Sequence, residues 1–238
     1  MSMSDGGGRI MKIVCVLGSP HGLKGNTSRL LGHVLEGAEA LGAEAEIVSL
    51  EPGTVQPCDA CDACHKIGRC KQKDAFEAIC ERIAAADGLV LASPNYIQSV
   101  SAQMKAFMDR CCGVVHRLGF EGKYGASIVT SGGGGDDPII DYMNRFLVIT
   151  GVRPVGGVHA TMGALPEGQF TDGLIRSARE LGEKLVKAWR GQRVDPETER
   201  EMEEFRQRMR QLVTFRRDEW LYEYAYWQEK EGEGCRQV

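Results

Sequence analysis

The sequence lacks any apolar run long enough to cross a bilayer. Its longest strongly apolar stretches, for example residues 13–17 and 88–92, fall far short of the roughly 18 residues that a membrane-spanning helix needs. Charge of one sign is not in excess, because 29 Lys and Arg residues stand against 33 Asp and Glu residues, a formal net charge of -4. With 42% hydrophobic and 26% charged residues, the composition is that of a globular protein, and it indicates neither a nucleic-acid partner nor a membrane partner.

The N-terminus also lacks the charged, apolar and small-residue order of a secretory signal. Residues 1–9 are instead polar and rich in glycine. We therefore expect a disordered tail over residues 1–10 and a cytoplasmic location. Without export, the nine cysteines are expected to stay reduced and available for metal binding or redox chemistry.

Short apolar strands alternate with helices along the rest of the chain. Strands are predicted at residues 12–17, 45–50, 88–92, 124–130 and 152–159. Helices are predicted at residues 27–41, 74–85, 101–116, 137–150 and 171–189. Continuous apolar strands joined by crossover helices indicate a parallel sheet that is buried on both faces. We therefore expect an α/β fold with a doubly wound, five-stranded parallel sheet in the flavodoxin-like order 2-1-3-4-5.

This domain is expected to span residues 11–190 and to be followed by a helical extension, residues 191–238. Asp195 and Pro196 are a typical helix start, and an aromatic segment follows at residues 220–227. Between them, apolar residues recur at helical spacing, namely Met202, Phe205, Met209 and Leu212. Two interpretations stay open: the extension packs back on its own domain, or it joins subunits in a homodimer or homotetramer, since Tyr and Trp are enriched at interfaces.

The loop after the first strand, residues 18–28, has the character of an anion site. It lies where an open parallel sheet binds ligands, and the helix that follows offers unpaired N–H groups and a favourable dipole. Side-chain donors are available from Ser19, Asn26, Thr27 and Ser28. The loop has neither the Gly-Lys-Ser/Thr of nucleotide triphosphatases nor the G-x-G-x-x-G of dinucleotide sites. A monophosphate is therefore the favoured ligand, and a purely structural polar turn is the alternative.

Two further strand ends carry residues suited to a flat heteroaromatic ligand. After the third strand come a proline that fixes the backbone, an amide that can hydrogen-bond and an aromatic face, which are Pro94, Asn95 and Tyr96. The fourth strand runs into a polar, glycine-rich turn that begins with Thr130, Ser131, Gly132 and Gly133. Each feature alone has a structural explanation, but their coincidence at successive strand ends favours a binding site.

These three loops resemble those of the flavin-reductase branch of the flavodoxin-like fold, and the similarity covers about residues 11–165. The resemblance implies an FMN site. In that family the first loop binds the FMN phosphate, the loop after the third strand lies along the isoalloxazine ring, and the loop after the fourth strand contacts its pyrimidine end. The residues named above for each loop carry these roles by matching motif.

Four cysteines are concentrated in a polar insertion, residues 52–73, directly after the second strand. They are Cys58, Cys61, Cys64 and Cys70. The Cys-x2-Cys-x2-Cys spacing of the first three lets one chain wrap three corners of a cubane, and the fourth cysteine closes the set. Structural zinc more often uses two separated Cys-x2-Cys pairs. The spacing therefore favours a 4Fe-4S cluster, while zinc, a metal-free thiol group and a reversible disulfide stay open as alternatives.

The cysteine run and the flavin loops together resemble the iron-sulfur flavoprotein family, which has a compact cysteine motif in this same insertion. The resemblance implies an FMN-dependent oxidoreductase that passes electrons from ferredoxin or NAD(P)H through a 4Fe-4S cluster and FMN to a small acceptor. No side chain is expected to act as a nucleophile or general base. Two alternatives remain: an electron carrier without its own substrate, and a zinc-stabilised FMN-binding module.

The other cysteines and the histidines carry weaker signals. Buried positions, where a thiol acts as a small hydrophobe, are expected for Cys15, Cys80 and Cys111. No role is predicted for Cys112 and Cys235. His21 is a candidate phosphate contact and His65 a candidate contact to the cluster region. The remaining histidines indicate no function, namely His33, His116 and His159.

Overall fold

The structure, a computed structural model, describes residues 9–234. The predicted disordered tail lies outside the described residues except for its last two positions, and Cys235 lies outside them as well. At the first described position, Arg9 forms an ion pair with Asp87 at 2.5 Å and lies over the ring of Trp189. Among the described residues, no helix is both long and apolar enough to cross a membrane.

Strands and helices alternate as the sequence predicts. The strands are β1 (Lys12–Leu17), β2 (Glu44–Ser49), β3 (Gly88–Tyr96), β4 (Ser99–Val100), β5 (Tyr124–Ser131) and β6 (Arg153–Thr161). The helices are α1 (Asn26–Glu39), α2 (Ala63–Ile67), α3 (Phe76–Ala85), α4 (Ala102–Arg110), α5 (Cys112–Arg117), α6 (Asp137–Ile149), α7 (Asp172–Arg190), α8 (Pro196–Phe215) and α9 (Leu221–Gly234).

Five strands form a parallel sheet in the order β2-β1-β3-β5-β6, and the two-residue β4 pairs antiparallel with the end of β3. Because β5 and β6 are the fourth and fifth predicted strands, the predicted order is confirmed. The three central strands are almost entirely buried, whereas the edge strand β2 is largely exposed. Helices α1 and α7 cover one face of the sheet, and α3, α4 and α6 cover the other. Burial on both faces is why the central strands read as continuous apolar runs.

Two predicted elements differ from the structure. The helix predicted over residues 101–116 is interrupted at Cys111, whose N–H bonds to the carbonyl three residues back, and it continues as the separate helix α5. The fully buried Cys111 side chain anchors this bend in the core. The third strand continues to Tyr96, because Pro94 still pairs with Thr130 of β5 and the strand then meets β4.

The C-terminal extension packs on its own domain. Met202, Phe205, Met209 and Val213 of α8 share one buried cluster with Leu118, Val148 and the indoles Trp220 and Trp227. Leu212 is half-buried at the margin of this cluster. Within one chain, the extension therefore packs on its own domain, as the first of the two interpretations predicts. A role of the extension in contacts between subunits stays a prediction.

Helices α1 and α7 approach each other backbone to backbone at two glycines. A Cβ added at Gly37 would lie 2.0 Å from the carbonyl oxygen of Arg179, and one at Gly182 would lie 1.9 Å from that of Val34. Both distances are far inside van der Waals contact, so no larger residue fits without moving a helix. The crossing therefore fixes α1, which begins at the carboxyl edge of the sheet.

We expect Gly37→Ala to lower the free energy of unfolding by about 2 kcal/mol, because the methyl group forces α1 and α7 apart. Gly32→Ala is the matched control on the same helix. No atom lies within 4 Å of its added Cβ, so alanine should raise stability by up to about 1 kcal/mol through helix propensity. Urea unfolding of both variants tests this, and equal effects would contradict the close crossing.

Candidate functional site

The loops that follow β1, β3 and β5 meet around one open cleft of about 210 Å³. Nine of the eleven residues predicted to bind a cofactor line it: Ser19, Asn26, Thr27, Pro94, Asn95, Tyr96, Thr130, Ser131 and Gly132. The other two do not, because Ser28 is buried within α1 and Gly133 is exposed outside the lining. His21 and Met162 complete the cleft. His21 was a weaker candidate in the sequence, and Met162 carried no sequence signal.

The start of α1 is suited to an anion. Its N-cap is Gly25, no side chain caps the helix, and no acidic residue lies in its first turn. The first N–H groups of a helix have no partner within the helix, and the dipole there favours negative charge. The hydroxyl of Thr27 is 2.7 Å from that of Thr130, so a buried hydrogen bond joins the first and third loops. An uncapped helix start between hydroxyls is an arrangement that holds phosphate groups.

Asp136 organises the wall of the cleft after β5, and it has no counterpart among the predicted site residues. Its carboxylate is 3% exposed and accepts hydrogen bonds from Ser131 Oγ at 2.8 Å, Thr161 Oγ1 at 2.9 Å and Asn95 Nδ2 at 3.0 Å. A carboxylate can only accept, so these contacts orient the Asn95 amide. Because Nδ2 of Asn95 already donates to Asp136, Oδ1 is the atom of this amide that can hydrogen-bond to a ligand.

The turn between β3 and β4 presents apolar side chains beside the cleft. Ile97 and Gln98 have φ of 50° and 58°, in the left-handed region that residues with a side chain rarely adopt. Two such residues in succession are typical of the tight type I′ hairpin. The turn leaves Tyr96 44% exposed and Ile97 97% exposed. Tyr96 thus lies at the open side of the cleft and not in the core.

The four-cysteine loop follows β2 and includes the short helix α2. Cys58 is exposed and the other three cysteines are half-buried. Ala60 and Asp62 have φ of 53° and 59°, so the backbone turns sharply between the first cysteines. The N–H of Ala60 points at Cys58 Sγ at 3.5 Å. Backbone donors to cysteine sulfur are one of the contacts by which a protein tunes an iron–sulfur cluster.

The four thiols do not form a compact cage around a single ion. Within residues 9–234, no three of them come within 4.8 Å of one another. Zinc with Zn–S bonds of about 2.3 Å would bring tetrahedral sulfurs to within about 3.8 Å. The ligands of a cubane bind four different irons and are necessarily further apart. The open spacing therefore does not support the zinc alternative for this loop.

Arg110 ties the two ends of the cysteine loop together. Its side chain is 1% exposed and donates to the carbonyl of Gln56 at 3.0 Å, to Gln72 Oε1 at 2.8 Å and to both oxygens of Asp74 at 2.7 and 3.1 Å. Burial acts to raise the pKa of Asp74, but hydrogen bonds from Arg110 and two backbone N–H groups outweigh it and hold that pKa below its ordinary value. The nearby ion pair of Lys105 with Asp109 lies on the surface.

A second cluster of titratable groups lies beside this loop. His65 of α2, Cys112 and His116 of α5, and Glu223 of α9 are in contact. Hydrogen bonds from His116 and His65 lower the pKa of the Cys112 thiol to about 6, although burial opposes the shift. The sequence carried one usable signal, because Cys112 and His116 are four residues apart and share a face of a helix. Glu223 was not detectable, since it lies 158 residues from His65 along the chain.

Comparison with known proteins gives consistent matches. The profile of the NADPH-dependent FMN reductase family matches residues 11–166. An iron-sulfur flavoprotein of Archaeoglobus fulgidus is 34% identical over 92% of this chain and 99% of its own, and one of Methanosarcina thermophila is 35% identical over 61% and 78%. Among solved structures, the flavodoxin-like WrbA-like protein of Agrobacterium tumefaciens has a TM-score of 0.56 at 20% identity, covering 77% of this chain and 99% of that chain. That structural likeness shows the fold.

We expect Arg110→Met to lower the free energy of unfolding by about 3–5 kcal/mol, because it leaves the buried Asp74 carboxylate without its positively charged partner and with only two backbone N–H groups to hydrogen-bond it. Lys105→Ala, which removes an exposed ion pair on the same helix, should change it by less than about 1 kcal/mol. Hydrogen exchange should also accelerate over residues 56–72 in Arg110→Met alone. Unchanged exchange there would mean that Arg110 does not hold the loop.

We expect Asp136→Ala to lower the free energy of unfolding by about 2–3 kcal/mol. The substitution removes the acceptor for hydrogen bonds from Asn95, Ser131 and Thr161 and leaves these donors without it. The matched control is Asp137→Ala, whose side chain is 84% exposed and which should change stability by less than about 0.5 kcal/mol. Thermal unfolding of the two variants compares them. Similar melting temperatures would show that Asp136 does not organise this wall.

Proposed function

The chain belongs to the iron-sulfur flavoproteins of the FMN reductase-like family and is a flavin-dependent oxidoreductase, and from this premise we propose a specific electron path. Electrons enter from ferredoxin or NAD(P)H, pass through a 4Fe-4S cluster on the cysteine loop and FMN in the cleft, and leave on a small acceptor. The observation that carries the proposal is the convergence of three strand-end loops at the uncapped start of α1.

The residues of the cleft fit FMN. The N–H groups at the start of α1, with Ser19, Asn26 and Thr27, would hold the phosphate. Ser28 is buried in the helix and would contribute its backbone rather than its hydroxyl. Two segments would contact the ring: residues 94–96 along its face and residues 130–132 at its pyrimidine end, with Gly133 exposed just outside the lining. When bound, FMN supplies the ability to exchange electrons singly or in pairs.

The contribution of the chain itself is to bind, orient and shield. The buried Thr27–Thr130 hydrogen bond holds the phosphate loop and the third loop at a constant separation. Asp136 fixes Ser131 and Asn95, so the polar edge of the cleft is formed before a ligand arrives. The half-exposed Tyr96 leaves one side open to an electron donor or acceptor. No side chain needs to act as a nucleophile or general base.

The cysteine loop fits an iron–sulfur cluster in its donor set and spacing. Cys58, Cys61, Cys64 and Cys70 would be the ligands, and the Ala60 N–H directed at Cys58 would stabilise charge on sulfur. The buried Arg110 guanidinium at the base of the loop adds a fixed positive charge near Cys70. Clusters of this kind exchange one electron at a time, so together with FMN they would convert between single and paired electrons.

The test is anaerobic purification followed by an absorption spectrum and quantification of iron, sulfide and FMN. We expect four iron and four sulfide per FMN, as the proposed cluster requires. Cys61→Ser should lose iron and keep FMN, whereas Asn26→Ala combined with Thr27→Ala should weaken FMN binding at least tenfold and keep iron. Cys80→Ser, which alters a cysteine outside the loop, is the matched control and should retain both.

Turnover distinguishes the oxidoreductase from an electron carrier without its own substrate. Oxidation of NAD(P)H coupled to reduction of a quinone, a nitroaromatic compound or oxygen supports the proposed path. Reduction by ferredoxin without transfer to any small acceptor would support the carrier. A protein that stays colourless after incubation with FMN, iron and sulfide would refute both.

A further inference from the structure

The cluster of His65, Cys112 and His116 has the geometry of a metal site. Cys112 Sγ lies 3.6 Å from His65 Nε2 and 4.0 Å from His116 Nε2, and all three atoms lie within 4.8 Å of one another. Zinc bonds of about 2.0–2.1 Å to nitrogen and 2.3 Å to sulfur put tetrahedral N and S ligands about 3.6 Å apart. The three atoms are thus close enough together for one ion, and binding requires the two imidazoles, which are stacked with their planes 20° apart, to tilt until both Nε2 lone pairs point at it.

Glu223 orients both imidazoles for this purpose. Its two oxygens lie 2.8 Å from His65 Nδ1 and 2.9 Å from His116 Nδ1, and its side chain is fully buried. Each histidine thus uses Nδ1 toward the carboxylate and directs Nε2 toward Cys112. Metal-binding histidines almost always donate their second nitrogen to a carboxylate, a carbonyl or water in this way. One carboxylate that serves two histidines at once favours a built site over a chance contact.

Charge and environment point to a divalent ion that accepts nitrogen and sulfur. Glu223 and a Cys112 thiolate carry two negative charges, which two protonated imidazoles balance in the absence of a metal; one divalent cation would balance them after displacing the two Nε2 protons. The imidazole centroids lie 4.5 Å apart, and the Trp220 indole lies 4.6 Å from one ring and 5.0 Å from the other, so aromatic groups cover the ring faces. Imidazole and thiolate suit zinc, whereas magnesium and calcium prefer oxygen ligands. Cys112 and His116 are only half-buried, which leaves an approach for an ion.

We propose that His65, His116 and Cys112 bind one zinc ion, at a site that uses none of the four cysteines of the loop. Three protein ligands leave the fourth tetrahedral position for water or an added ligand. The site joins α2, which carries Cys64, to α5, and through Glu223 to α9. Zinc would therefore fasten the middle of the cysteine loop to the C-terminal extension.

The test uses the holoprotein, produced with zinc in the medium and then desalted. We expect about one zinc per chain. X-ray absorption at the zinc edge, which neither iron nor flavin disturbs, should find two nitrogens at about 2.0–2.1 Å and one sulfur at about 2.3 Å. A protein without retained zinc, or a zinc shell of four sulfurs, would overturn the proposal.

Variants separate this site from the cluster. Cys112→Ser and His116→Gln should each lower zinc affinity at least tenfold while iron, sulfide and FMN stay unchanged, and Glu223→Gln should lower it about 10–100-fold through the histidines. Cys80→Ser is the matched control and should keep wild-type affinity. If Cys112→Ser retained zinc, or lost iron together with zinc, the assignment would be wrong.

The X-ray absorption spectrum is measured on the wild-type chain, so it tests the proposal even if the variants fold poorly. The proposal is independent of the electron path as well. Zinc bound by two nitrogens and one sulfur would support the zinc site even in a preparation without iron. A protein with its full iron and FMN but no zinc would refute the zinc site and leave the electron path standing.

Discussion

The parallel direction of β1, β3 and β5 is the constraint on which the rest of the molecule depends. Strands that run the same way place their carboxyl ends at one edge, so loops distant in the chain must meet there. The backbone crossing of α1 and α7 at Gly37 and Gly182 then holds the helix start against that edge. The Thr27–Thr130 hydrogen bond and the Asp136 network complete the cleft by joining those loops to each other.

The cysteine loop depends on support from outside the sheet. Arg110 holds both of its ends, while α5 and α9 hold its middle. These helices lie very close to the loop. A Cβ atom added at Gly113 of α5 would lie 2.9 Å from the Cβ atom of Cys64, and a Cβ atom added at Gly68 would lie 2.4 Å from the ring of Tyr222 of α9. The C-terminal extension therefore contributes to the surroundings of the proposed cluster, which gives its aromatic segment a role within one chain.

Most of the lining of the cleft was predictable, because each loop carries its own local pattern at a strand end. The resemblance to iron-sulfur flavoproteins is likewise confirmed, by a relative that matches 92% of this chain and by the family profile over residues 11–166. Two details of the cleft were not predictable. Ser28 faces inward because the helix begins at Asn26 and turns it away from the cleft, and the Asn95 nitrogen bonds to Asp136 and not outward. The break at Cys111 was also hidden, since apolar residues keep their helical spacing through it, at Met104, Phe107, Met108, Cys111 and Val115.

The sequence by itself determined the order of strands and helices, the polar loop at the start of α1 and the spacing of the four cysteines. These features depend on neighbours within a few residues, so periodicity and motif reveal them. Only the tertiary structure decided which distant groups meet: Asp136 with Asn95 and Thr161, Arg110 with both ends of the cysteine loop, and Glu223 with His65 and His116. Such contacts form because packing buries the charges together, and burial leaves no periodic trace in the residues concerned.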